Sequence, residues 1–315
     1  MSDRVLVWLK PQYLGDAVMA LPLIDSLIAA GRNVAVAAGP VVLDLLRDRS
    51  DRVDLVPVER MRRFQDVQAA AARFRKEGYT AAILVNRSFR SALTARLAGI
   101  PLRVGHAAEG RGPLLTHRVP YPKDRPEWEC GLDLLRAVGW PATALEGKVG
   151  LEPDEIRVGR ELRGRATIGI QPGARYRKKQ YPLPMMAEVA AALMDDGHEI
   201  VLLGGREESE DAERFLALIG GRGQNLVGRC RLRESMAVAA GLRAMVGNDT
   251  GMMHAAAAVG CPTVTLFGPT SASKWGHADE VHLAIQAPGH RLERLAPRDV
   301  LLAARSVLRP GGPSA

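Results

Sequence analysis

Apolar residues in this chain fall into short unbroken runs, separated by stretches in which they recur at helical spacing. Val5 to Leu9 is the first run; after the turn from Lys10 to Asp16, Ala17 to Ala30 carries the spacing of a helix that stops at Gly31. Runs at 33–37, 53–58, 80–85 and 102–104 continue as strands, alternating with helical stretches at 41–48, 64–77 and 88–98. From about residue 141, Pro141, Gly147, Gly150 and Pro153 loosen the pattern, and a charged segment runs on to Arg165. A second series then begins, with strands at 167–171, 198–203, 244–246 and 263–267 and helices at 182–194, 206–218 and after Gly251. The alternation predicts an α/β protein with two doubly wound parallel sheets, in domains spanning 1–155 and 156–309. Such units would face each other across a cleft where strand C-termini and helix N-termini meet a ligand. The end of the chain, 310–315, reads as a disordered tail, and the last helix before it could pack back on the first domain.

Composition narrows the class of function. The chain has 315 residues, enough for two cores, and aromatics make up only 4% of it, which suits buried parallel strands better than an aromatic-rich sandwich. Cys130, Cys230 and Cys261 form no CxxC pair and are odd in number, so a reducing, cytoplasmic setting is expected. The first apolar run ends at Lys10, too short for a secretion signal, and no stretch of ~18 apolar residues could cross a bilayer. The net charge of +8 points to an anionic partner. Its arginines are scattered, without a basic tract, a zinc-finger spacing or an aromatic RNA-binding motif, so nucleic acid is not expected.

The densest chemistry lies in Asn248-Asp249-Thr250-Gly251-Met252-Met253-His254 and the following Gly268-Pro269-Thr270. A turn ahead of a helix offers free N–H groups and the positive end of a dipole, a site suited to a diphosphate, although Asp249 or Thr250 could simply cap the helix. After the strand at 167–171, the loop from Pro172 to Pro182 holds Arg175, Arg177, Lys178 and Lys179, cations able to hold phosphates. Gly15-Asp16 lies at the end of the first strand, where the carboxylate can accept a hydroxyl proton or interact with its own helix dipole. Asn86, Arg87 and Arg90, with Arg103 and His106 further on, could bind an acidic acceptor. There is no G-x-G-x-x-G turn, no Walker A loop and no His/Cys cluster, so neither a redox cofactor nor a metal is expected.

Together, Gly15 to Pro22, Pro172-Gly173-Ala174 with Lys179 and Pro182, Ser88 to Leu93, and above all the block from Gly247 to Thr270 resemble glycosyltransferase family 9, the heptosyltransferases of lipopolysaccharide core assembly. The resemblance implies a GT-B architecture of two Rossmann-like domains, with acceptor mainly on the first and nucleotide sugar mainly on the second. It implies inverting, metal-independent transfer from ADP-L-glycero-β-D-manno-heptose to a phosphorylated lipid A-core acceptor, by a protein on the cytoplasmic face of the inner membrane. Asp16 matches the general base, Lys179 the diphosphate-binding lysine, and Asp249, Thr250, Gly251 and His254 the donor turn. Glu208, in competition with Glu207, would hold the ribose, while Gly15, Asn86, Arg87, Arg90 and Arg103 would serve the acceptor. The rival readings are a UDP-sugar epimerase of the same architecture and a non-catalytic nucleotide-binding module.

Overall fold

The protein is described by a computed structural model for residues 3–143, 147–277 and 279–308. The chain divides into two compact units, Met1–Gly147 and Lys148–Ala315. The break lies ahead of the 155/156 boundary expected from sequence, because the charged segment before Arg165 is a helix of the second unit. The tail read as disordered, 310–315, falls outside the described residues. None of the described helices is long and apolar enough to cross a membrane.

The first unit runs β1 (Arg4–Trp8), α1 (Leu14–Met19), α2 (Leu21–Ala29), β2 (Asn33–Ala38), α3 (Pro40–Leu45), β3 (Val53–Pro57), α4 (Phe64–Glu77), β4 (Ala81–Leu84), α5 (Phe89–Leu97), β5 (Leu102–His106), β6 (His117–Val119) and α6 (Glu127–Arg136). Its strands pair in parallel in the order β3-β2-β1-β4-β5-β6. The chain therefore winds outward in both directions from the β1/β4 pair, and the loops leaving those two strands open a crevice at the switch point. Trp8 packs edge-on to Phe74 at 5.1 Å, and Phe74 to Tyr79 at 5.8 Å, fastening α4 to the sheet. Such ring pairs contribute about 0.5–1.5 kcal/mol each beyond their buried area.

The single helix read over 17–30 is two. Pro22 lacks an N–H and its ring crowds the carbonyl four residues earlier, so the helical ladder cannot pass through it. Instead Ala20 closes α1, donating to the carbonyls of Asp16 and Ala17 at 3.1 Å, and Pro22 sits in the first turn of α2. This keeps α1 short and leaves Asp16 within its first turn.

The second unit runs α7 (Pro153–Arg163), β7 (Ile168–Gln171), α8 (Leu183–Asp195), β8 (Ile200–Leu202), α9 (Ser209–Leu218), β9 (Gln224–Asn225), α10 (Leu232–Ala240), β10 (Ala244–Asn248), α11 (Gly251–Ala258), β11 (Thr263–Phe267), α12 (Ala272–Trp275), β12 (His282–Gln286) and α13 (Pro297–Val307). Its parallel sheet has the order β12-β11-β10-β7-β8-β9, so read from β9 it repeats the winding of the first. The switch point here lies between β7 and β10, whose loops are the basic segment after Gln171 and the Asp249-Thr250-Gly251 turn. Every residue of β7, β10 and β11 is buried, as strands covered by helices on both faces must be. α13 packs against α8 and the strands of this unit.

At Gly39, after β2, a Cβ would lie 2.1 Å from the carbonyl oxygen of Pro11 in the loop that precedes Asp16. No side chain can relieve that overlap, since the obstacle is backbone. Gly39→Ala should therefore destabilise the protein by ~1–3 kcal/mol in urea titration, although exposed Gly→Ala changes ordinarily stabilise. An unchanged or raised midpoint would show that the Pro11 loop yields freely.

Candidate active site

In the first unit, Gly15 and Asp16 occupy the opening of α1, directly beyond β1. Asp16 is partly buried and paired with Lys10, whose ammonium also lies 5.4 Å from the centre of the Tyr13 ring. Lys10 carried no role in the sequence reading; its spacing six residues ahead of Asp16 is the signal that could have found it. Asn86 is buried and works as a staple. Its side-chain amide donates to the Trp8 carbonyl at 3.1 Å, and its Oδ1 accepts from the Ser88 N–H at 3.3 Å and from the Ser91 hydroxyl, tying the end of β4 to the end of β1. Arg87, part-exposed beside it, stacks 4.1 Å from the Tyr121 ring centre and lies 3.5 Å from Glu127 at the start of α6. Tyr121 in turn donates to Glu127 at 2.5 Å. Arg90 is exposed in the first turn of α5.

Arg103 does not join this group. It is the second residue of β5, at the opposite end of the strand from the switch-point loops, and its guanidinium is spent on the carbonyls of Leu114 at 2.8 Å and Pro101 at 3.1 Å. Burial pushes its pKa down. A buried arginine that the sequence reading passed over stands at the near end. The Arg111 guanidinium donates to the carbonyls of His106 (2.8 Å), Asn86 (2.6 Å) and Leu84 (3.2 Å), and burial lowers its pKa to about 10. It satisfies carbonyls at the ends of β4 and β5 that the ladders leave over.

In the second unit the network centres on Asp249. Its Oδ2 accepts from Lys179 Nζ and from Thr270 Oγ1, both at 2.6 Å, and its Oδ1 from His254 Nε2 at 3.3 Å. Burial alone would raise the pKa of this carboxyl, but the hydrogen bond and charge of His254 and the Lys179 ammonium outweigh it and hold the group well below the ordinary range. Three segments distant in sequence are thus joined: the 3-10 turn Arg177–Lys179, the β10 turn running into the first turn of α11, and the loop after β11. His254 Nδ1 lies 3.2 Å from His277 Nε2. Thr270 was quoted in the sequence reading without a role, and His277 was absent from it.

Beneath this, buried amides set the two switch-point loops. Asn248 donates to the Gly173 carbonyl at 2.9 Å and accepts from the Tyr181 N–H at 2.7 Å, while Gln171 accepts from the Asn248 N–H at 3.2 Å. Gln171 also donates to Glu208 at 2.9 Å, and the other oxygen of Glu208 accepts from the Gly205 N–H at 3.0 Å. Burial raises the Glu208 pKa against these bonds. Glu207 next to it is exposed.

The start of α11 is uncapped. Thr250 is the N-cap residue with extended backbone, yet its side chain makes no capping bond, and its Oγ1 is buried without a partner. Asp249 is committed elsewhere. The plain capping role that either residue could have filled is therefore not the one they take here, and no capping side chain covers the first N–H groups of α11, an arrangement suited to an anion.

Glycosyltransferase family 9 (heptosyltransferase) matches residues 67–292 of the chain. The chain belongs to this family. Over 218 residues it is 32% identical to lipopolysaccharide heptosyltransferase 2 of Escherichia coli K12, an alignment covering 62% of each protein, so the match spans less than two thirds of that relative's length. Among solved structures it resembles the E. coli ADP-heptose lipopolysaccharide heptosyltransferase II, with TM-score 0.80 and 25% identity over 96% of this chain and 98% of the other. E. coli heptosyltransferase WaaC with ADP shares the fold at TM-score 0.74 and 22% identity, covering 94% and 97%. The two sheets of six parallel strands with flanking helices are those of GT-B enzymes.

The second unit carries two groups whose protonation opposes folding in acid. The Asp249 pKa is depressed on folding, so its contribution is full above the unfolded value near 3.9 and is lost as pH falls below it. Burial, then the neighbouring imidazoles of His254 and His282, push the His277 pKa from 6.5 to about 3, so stability is also lost as pH falls from 6.5 toward 3. Urea titrations from pH 7 to pH 3 should show this loss, and His277→Gln should flatten the limb between pH 6 and pH 4. Parallel curves for the two proteins would refute the neutral state of His277.

Proposed function

We propose that this protein is an ADP-sugar glycosyltransferase that moves a heptose onto the inner core of a lipopolysaccharide acceptor, with inversion at the anomeric carbon and without a metal ion. The observation that carries the reading is the uncapped start of α11, with the orphan Thr250 hydroxyl, beside the Lys179–Asp249–His254 network. The E. coli relative is an ADP-heptose enzyme and the WaaC structure holds ADP, which favours an adenine nucleotide over a uridine one.

In this reading the diphosphate of the donor lies on the free N–H groups of α11 and on Lys179, and the ribose on Glu208. Both ends of that cradle carry positive charge, which a departing diphosphate needs as the bond from anomeric carbon to phosphate oxygen breaks. Asp249 has its oxygens already engaged, so its part is to aim Lys179 and His254. The acceptor hydroxyl attacks the anomeric carbon from the opposite side, and Asp16 takes its proton as the new bond forms. Lys10 holds the Asp16 carboxylate in place before the acceptor arrives.

Arg87 and Arg90 lie on the switch-point side of the first sheet and suit a phosphorylated acceptor, and Arg103, at the other end of β5, is given no part in this reading. The net charge of +8 favours peripheral attraction to anionic lipid on the cytoplasmic face of the inner membrane, an attraction that salt would weaken.

Asp16→Asn keeps the shape of the base and removes its proton affinity. Transfer should fall ~10²–10⁴-fold while ADP affinity stays within about threefold. Near-normal turnover would dismiss Asp16 as the base. At a hundredfold excess over Kd, ADP should raise the melting temperature by about 5–10 °C, and UDP and NAD at the same concentration by much less. A larger shift with UDP would overturn the donor assignment.

A further inference from the structure

His254 is 4% exposed and both its ring nitrogens face protein atoms. A carboxylate can only accept, so the Nε2 that meets Asp249 carries a hydrogen. Its Nδ1, 3.2 Å from His277 Nε2, then has two ways to be satisfied. A neutral His254 accepts from His277; an imidazolium donates to it. Neither ring has to move between the two states, because a hydrogen is needed at only one of the facing nitrogens.

Three further groups bear on this pair. His282 of β12 lies 5.9 Å from His277 ring to ring and is itself bonded through Nδ1 to Thr263 Oγ1 at 3.0 Å. Asp279 exerts the opposing charge on His277, and Lys179 acts on His254 through their shared partner Asp249. Burial and the flanking imidazoles keep His277 neutral down to about pH 3, so a proton entering the pair resides on His254.

His254 also stands in the first turn of α11, where the helix dipole opposes a positive charge until an anion offsets it. We propose that His277 is a positioning residue that lets His254 take up one proton from solvent when a nucleoside diphosphate binds at the start of α11, giving an imidazolium bonded to both Asp249 and His277. The proton comes from water or buffer and enters at His277 Nδ1, while the hydrogen on His277 Nε2 passes across the 3.2 Å contact to His254 Nδ1, so His277 stays neutral as its other tautomer and the added charge faces the diphosphate as a fixed field rather than as a hydrogen-bond donor. By reciprocity, a ligand that binds the protonated form more tightly draws the proton in. The proposal rests on nucleotide binding at this turn, and the experiment separates the two.

Calorimetry of ADP binding at pH 7.5, repeated in buffers of different ionisation enthalpy, counts the protons exchanged. The wild-type protein should take up more protons per ADP than His277→Phe, whose ring cannot accept from Nδ1. The phosphate of ADP titrates alike in both, so the difference belongs to the protein. His277→Gln, whose amide oxygen reaches the same position, should restore the uptake. If the Phe variant does not fold, His277→Asn, one bond too short to reach, takes its place. Equal proton counts in the wild type and the Phe or Asn variant, or a loss in the Gln variant as well, would overturn the role of His277 while leaving nucleotide binding intact. No binding of ADP to the wild-type protein would overturn both.

Discussion

A single buried carboxylate organises the second unit. Asp249 receives an ammonium and a hydroxyl from two loops distant in sequence and an imidazole from the first turn of the helix that follows it. A buried charge is costly unless paired and fully hydrogen-bonded, and this one meets both conditions. The same bonds that offset its burial fix Lys179 and His254 around the start of α11. The placement of positive charge at that helix terminus and the stability of the loops are therefore one and the same interaction.

The chain reaches this arrangement twice over by topology. Each sheet winds outward from a central pair, β1 with β4 and β7 with β10, and in each case buried amides join the loops that leave the pair. Asn86 does this in the first unit, Gln171 and Asn248 in the second. An open crevice in a parallel sheet leaves backbone groups unpaired, and a side-chain amide, with donor and acceptor together, closes the account on both sides.

Much of this was legible in sequence. Unbroken apolar runs such as Val5 to Leu9 and Thr263 to Phe267 identify central strands because burial on both faces removes polar alternation. Three of the four edge strands escaped, since β6, β9 and β12 are short or only partly buried and lack such runs; β3, the fourth, was read. Helices α7 and α10 escaped as well: α7 is amphipathic but charged and follows no strand, and the two-residue β9 ahead of α10 has no apolar run to announce it. The positions of Asp16, Lys179, Asp249 and His254 at strand and helix ends followed from pattern, and the roles proposed for them rest on the family resemblance. What local sequence could not supply was partnership at a distance. Lys179 meets Asp249 across 70 positions, His254 meets His277 across 23, and only folding brings them together. Arg103 lies away from the residues it was grouped with for a related reason: whether a strand residue sits at the entering or the leaving end decides which rim it reaches.

The Thr250 hydroxyl has lost water without gaining a partner, a deficit of about 1–3 kcal/mol by the usual measure for a buried polar group. A ligand atom accepting from this hydroxyl would remove the deficit, so part of the affinity for such a ligand would be held as local instability beforehand. Tight folding and ready capture would then pull on this residue in opposite directions.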